Sequence, residues 1–225
     1  MKREKSIEAL IARAKQDFSQ LQVAYEASLH EKHVREDLKI SIKNIYENLR
    51  SCLDYIAQDT FDKFCSSKKP NVLYFPIFQS EKEFKQGVEK NFPGLEVAAS
   101  KLYGFLEDVQ PYKAPWLGQF NKLNNHNKHQ DLVEQTRTES RQVTVSRDGS
   151  SVSWGPGVSF GSGVSVMGVP IDPRTQMPAA NTVTETEVVI WVDFRFLENN
   201  EPVLGFTDKS ISAVEDLFNK VKVEL

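Results

Sequence analysis

An α+β fold, an N-terminal helical bundle followed by a small antiparallel β-sheet and a C-terminal helix, is predicted by three features of the sequence. Apolar residues recur every three or four positions through residues 1–135. After Thr136 the apolar period falls to two, and beyond Thr207 it returns to the helical spacing. These shifts divide the chain into a helical domain, 1–135, and a sheet with its closing helix, 136–225, packed together as one unit.

The first helix is read from Leu10, Ile11, Ala14, Phe18, Leu21 and Tyr25, a single apolar stripe. A second stripe of Leu38, Ile42, Ile45, Leu49, Leu53, Ile56 and Phe64 predicts a long helix that ends before Ser66, with no Gly or Pro marking the break near His30 to Glu36. The run VLYFPIF, Val72 to Phe78, contains Pro76 and suits an extended strap that only packs on the helices. Ser80 with Glu83 is a capping box for a helix through Lys90. Another helix is expected from Leu95 to Asp108, and one more from Trp116 into the run NKLNNHNKHQDL.

In the second part, Val143 and Val145 alternate with polar neighbours, and Asp148-Gly149 turns the chain toward Val152 and Trp154. Five of the chain's 11 glycines fall between Gly155 and Gly168 and, with the prolines that follow, predict a long loop. No Gly-Lys-Ser/Thr ending follows them, so they are read as turns rather than a phosphate loop. Thr182 to Leu197 is the strongest strand, with Val188, Ile190, Val192, Phe194 and Phe196 expected on a face buried against the last helix. On that reading an aspartate at Ile190 unfolds the protein. Thr207 is expected to cap the last helix, with Ile211, Val214, Leu217, Phe218 and Val221 inward.

A net charge of −3, from 28 basic and 31 acidic residues among 225, supplies no general field for nucleic acid or anionic membrane, so such binding needs a local patch. Cys52 and Cys65 stand 13 residues apart on one predicted helix, roughly 20 Å at about 1.5 Å per residue, too far for a disulfide. No window is apolar enough for a membrane span and no secretory leader is visible, so the chain is read as cytoplasmic, without membrane contact.

The chemistry-bearing region is Asn121 to Asp131. Carrying the helical repeat forward from Leu117 and Phe120 reaches Asn124, Asn127 and Asp131, so the inward stripe turns polar. Lys122, Asn125, His126, Lys128 and His129 surround it as donors, and imidazole is the side-chain type suited to proton exchange. The alternative is a solvated, Asn-rich helix end. Arg50 and Asp54, at i and i+4, read as a surface ion pair. The four histidines form two His-x-x-His pairs, His30 with His33 and His126 with His129, a spacing that suits metal ligands but lacks a third one. No metal or other cofactor is assigned.

Three phrases, NLRSCLDYIA, the FPI and QPY strap elements, and LNNHNKHQDL, together resemble a widespread group of uncharacterised bacterial proteins with an Arg-Ser-x-Leu-Asp helix and an Asn-x-Asp/Asn-Lys-His motif. More distantly, the helical part resembles the HEPN superfamily, whose toxin and defence members are metal-independent ribonucleases. That resemblance implies an RNA-cleaving or RNA-binding protein. In it His129 is the general base, Arg50 and Lys128 stabilise the phosphate, Asn125 orients it, and His126, Asn127, Lys122 and Asp54 assist binding. This sequence has Asn127 where an Asp is commoner in the motif, and no arginine just upstream of His129. The rival reading is a non-catalytic interaction module, dimerising through its N-terminal helices, in which the polar cluster is structural.

Overall fold

The computed structural model describes residues 1–28, 34–68, 70–129 and 131–225, with the side chains of His129 and Trp191 outside that description. The described residues form seven helices and six strands, an α+β protein with helices first, strands next and a helix last. They divide into two compact units, residues 1–136 with 195–225, and residues 137–194.

The helical unit is built on α1 (Glu4–Ala27) and α2 (Glu36–Phe64). Their buried stripes largely follow the spacing: Ile11, Ala14, Phe18, Leu21 and Tyr25 with Ile7 on one, and Leu38, Ile42, Ile45, Leu49, Leu53 and Ile56 with Phe61 on the other, whereas Leu10 and Phe64 are only half-buried. The break between the two helices lies partly outside the described residues. α3 (Glu81–Asn91) begins at Ser80, whose hydroxyl accepts the Glu83 N–H at 3.3 Å, while Glu83 reaches back to the Gln79 N–H at 3.1 Å. The expected Leu95 to Asp108 helix is broken in two. α4 (Leu95–Ala98) and α5 (Ser100–Asp108) meet at Ala99, whose φ of −151° and ψ of 63° leave the helical region. α6 (Pro115–His129) opens on Pro115, where a missing N–H costs nothing.

The last helix, α7 (Val203–Val221), starts a turn earlier than expected. Thr207 is not its cap but an interior residue, completely buried, with its hydroxyl donated to the Val203 carbonyl at 2.7 Å. Pro202 is itself extended, at φ −60° and ψ 126°, and ends the preceding chain, while burial of Val203 and Phe206 starts the helix directly after it. α7 packs on α1 and α2 within the helical unit. Cys52, wholly buried on α2, has its thiol pushed up to about 12 by desolvation, and both cysteines are free. Among the described residues no helix is long and apolar enough to cross a membrane.

In the second unit β1 (Gln135–Arg147) and β2 (Ser150–Trp154) form the expected hairpin, with Val143 opposite Trp154 and Val145 opposite Val152. Asp148 and Gly149 both have positive φ, as a two-residue turn of the primed type demands. The glycine- and proline-rich stretch is not a loop throughout. It folds into a second small sheet of β3 (Ser165–Val166), β4 (Val169–Asp172) and β5 (Met177–Pro178). Val166 and Ile171 from this sheet close a core with Val143, Val145 and Trp154.

β6 (Glu185–Phe196) lies at the edge of the sheet order β2-β1-β6, and its apolar face is not buried as expected. Phe194 and Phe196 are buried, but Val188 and Ile190 are 39% and 59% exposed. The hydrophobic cluster of the second unit draws on β1, β2, β3 and β4 and on no described residue of β6. Ile190→Asp is therefore expected to change stability by no more than about 0.5 kcal/mol, as at other exposed positions. Urea unfolding of that variant checks the point, and unfolding of the protein would restore the buried register.

Candidate functional site

On α2, Leu49 and Leu53 are wholly buried, and Arg50 and Asp54 sit beside that stripe one turn apart. They form an ion pair at 3.2 Å with side chains only 12% and 17% exposed, so this is a half-buried pair and not the surface pair that the spacing suggested. Asp54 also accepts the Phe75 N–H at 2.8 Å, which pins the strap to α2. Alternation along the strap then turns Leu73 and Phe75 inward and leaves Tyr74 61% exposed, with its ring 5.9 Å from the Arg50 guanidinium carbon. The strap does more than pack, because it presents this aromatic ring.

Gln110 holds the strap from the other side. Completely buried, it donates to the Pro76 and Leu106 carbonyls at 2.9 and 2.8 Å and accepts the Phe78 N–H at 2.9 Å. Gly87 adds a steric reason, since a Cβ there would stand 2.0 Å from the Phe78 ring.

α6 supplies the facing wall. Leu117, Phe120 and Leu123 are buried, and the stripe continues through Asn124 and Asn127, at 1% and 7% exposure, as the helical repeat predicts. Asp131 lies beyond the helix and is exposed. Asn127 accepts the Val133 N–H at 2.9 Å and so ties down the chain leaving the helix. It lines neither cavity described below. Asn124 is different, because its Oδ1 is buried, has no hydrogen-bond partner and belongs to the wall of a cavity.

That cavity, about 320 Å3, is bounded by Arg50, Asp54, Tyr74, Asn121, Asn124 and Lys128, with Asn125 at its edge. Arg50 also donates to Asn121 Oδ1 at 3.2 Å. Two cations against one carboxylate leave a net positive charge in a space lined by amides. Burial raises the Asp54 carboxyl above its ordinary value, opposed by the Arg50 guanidinium, the Phe75 N–H and Lys128.

Comparison with family models, curated proteins and solved structures finds no match to this chain. Function has to be argued from geometry.

A larger cavity of about 840 Å3 lies on the other side of α6 and shares Asn121 and Asn125 with the first. Lys122 and His126 line it, together with Gln119 and Glu198. His126 Nδ1 contacts Glu198 Oε1, and Lys122 Nζ stands 3.8 Å from Glu198 Oε2, an oxygen that is buried and without a hydrogen bond. Of the sequence-predicted residues, Arg50, Asp54, Asn125 and Lys128 thus meet at one cavity and Lys122 and His126 at the next. The His129 side chain and the His30/His33 pair lie outside the described residues, and among those described no three His, Cys, Asp or Glu side chains converge on a metal position. Sequence reasoning missed Tyr74 and Glu198. Alternation about the strap could have exposed Tyr74, whereas Glu198 sits in a turn distant in sequence and carries no local signal.

Proposed function

We propose that the protein binds single-stranded RNA in the cavity between α2, the strap and α6, and cleaves it without a metal ion, in the manner of HEPN-like ribonucleases. The observation that carries this reading is the meeting of an exposed aromatic ring, the exposed Lys128 and the half-buried Arg50 around one unpaired amide oxygen, that of Asn124. Tyr74 offers a face on which a base can stack, Lys128 and Arg50 suit a phosphate, and the buried Asn124 Oδ1 is an acceptor without a donor. Such a site reads unstacked bases, so duplex RNA is excluded by its size and single strands are preferred.

Fluorescence anisotropy with a short single-stranded RNA, in EDTA and over a range of salt, tests it. Lys128→Ala is expected to weaken binding and lower the salt dependence by about 0.7 in the log–log slope, one phosphate contact on a single strand. Tyr74→Ala is expected to cost about 1–3 kcal/mol of binding without changing that slope, because stacking involves no counterion. Absence of RNA binding by the wild type ends the proposal.

The second reading, a structural polar cluster within an interaction module, is favoured by one specific feature. Asp54 uses its carboxylate both for Arg50 and for the Phe75 N–H, which is scaffold work. On that reading Lys128→Ala and Tyr74→Ala, both at exposed residues, are silent in every assay.

A further inference from the structure

The RNA reading leaves the larger cavity without a role, although it holds the one described histidine of α6 against a carboxylate from a distant part of the chain. His126 is 27% exposed on its side chain and contacts Glu198 through Nδ1. A carboxylate on Nδ1 holds the ring in one orientation and keeps Nε2 as the proton acceptor. The Glu198 Oε2 atom is buried and makes no hydrogen bond, its ion pair with Lys122 being long at 3.8 Å, so the carboxylate has charge to offer the ring when it becomes imidazolium. The pair links α6 to the turn after β6, as Gln119 does by donating to Glu201 at 3.3 Å, and it also lines an 840 Å3 space.

The two cavities share part of their walls: Asn121 and Asn125, i and i+4 on α6, line both, the first also bounded by Arg50 and Lys128 and the second by Lys122 and His126. Arg50 already reaches the seam by donating to Asn121. The shared amides place His126 next to the cavity proposed for RNA.

Resting on the RNA reading above, we propose that His126 is the general base of this protein, with Glu198 its positioning residue. Nε2 of His126 takes the proton of a ribose 2′-hydroxyl. The 2′-oxygen forms a bond to phosphorus and the bond from phosphorus to the 5′-oxygen breaks, leaving a 2′,3′-cyclic phosphate. The departing 5′-oxygen takes a proton from solvent water. The hydroxide so formed is neutralised by the proton that the imidazolium then releases, and no oxidant, reductant or metal enters. The amides of Asn121 and Asn125 and the ammonium of Lys122 are the donors near the phosphate oxygens.

The test uses the full chain and a short single-stranded RNA in EDTA, with binding followed by anisotropy and products by their cyclic phosphate ends. His126→Gln is expected to slow cleavage by about 10²-fold or more, with RNA affinity within about two-fold of wild type. His126→Ala is expected to regain part of its rate when free imidazole is added, because the cavity admits the ring. Glu198→Gln is expected to lower kcat by about ten-fold with KM unchanged, a split that a merely structural role would not produce. RNA that is bound but not cleaved by the wild type overturns the assignment while leaving the binding reading intact. Undiminished cleavage in His126→Gln overturns it too, as does loss of cleavage in His129→Gln alone, and a fall in RNA affinity matching the fall in rate would make His126 a binding group. A wild type that binds no RNA removes this assignment together with the reading beneath it.

Discussion

Tyr46→Ala is expected to destabilise the protein by about 3–5 kcal/mol, the scale for removing a large buried aromatic ring. Tyr46 is completely buried on α2, and its ring lies 5.2 Å from that of Phe120 on α6 and 6.2 Å from that of Phe196. It thus joins three parts of the helical unit that are remote in sequence. Its hydroxyl is 3.4 Å from that of Thr207, and burial keeps the phenol protonated by raising it above its ordinary value. Thr207 has a second, shorter bond to the Val203 carbonyl, so little is orphaned when the phenol is lost. Tyr46→Phe is accordingly expected to cost about 1 kcal/mol or less. Urea unfolding of both variants with an unchanged slope is the measurement. Equal losses would mean that the hydroxyl, and not the ring packing, joins the helices.

Gln110→Ala is expected to cost about 3 kcal/mol. The side chain is wholly buried and satisfies the Phe78 N–H and the Pro76 carbonyl, two strap groups that no water replaces at once, and each orphaned group costs about 1–3 kcal/mol. Because hydrogen bonds rather than volume are lost, Gln110→Met, which keeps most of the volume, is expected to be nearly as damaging. Thermal unfolding of the two variants distinguishes the causes, and a methionine variant as stable as wild type would show that filling the space is enough. Hydrogen exchange at the Phe78 amide is expected to accelerate in both. The strap carries Tyr74, so on the proposed function the same variants are expected to weaken RNA binding although Gln110 does not line the cavity beside Tyr74.

Most of the helices were legible from local rules. The Ile7 to Tyr25 stripe, the Ser80–Glu83 box and the polar continuation through Asn124 and Asn127 are all in the structure, because 3.6-residue periodicity and capping involve residues within a few positions of each other. Thr207 shows the limit. A threonine ahead of an apolar run has the look of a cap, yet Val203 and Phe206 find burial in the helical unit and the helix starts before it. Ile190 shows the same limit on a strand, since alternation says which residues share a face but not whether anything covers that face.

By itself the sequence determined the α+β class, the order of the long helices and of β1, β2 and β6, and the turn of the α6 stripe from apolar to polar, because each follows from the spacing of side chains along a regular backbone; it did not show β3 to β5 or the break between α4 and α5. It also indicated Arg50, Asp54, Asn125 and Lys128 as polar residues beside buried stripes. Only the tertiary structure decided that these four share a cavity with Tyr74, and that His126 meets Glu198 across 72 positions of chain. Those meetings depend on how α2, the strap, α6 and the turn after β6 pack within one unit, and packing joins residues whose separation along the chain leaves no periodic trace.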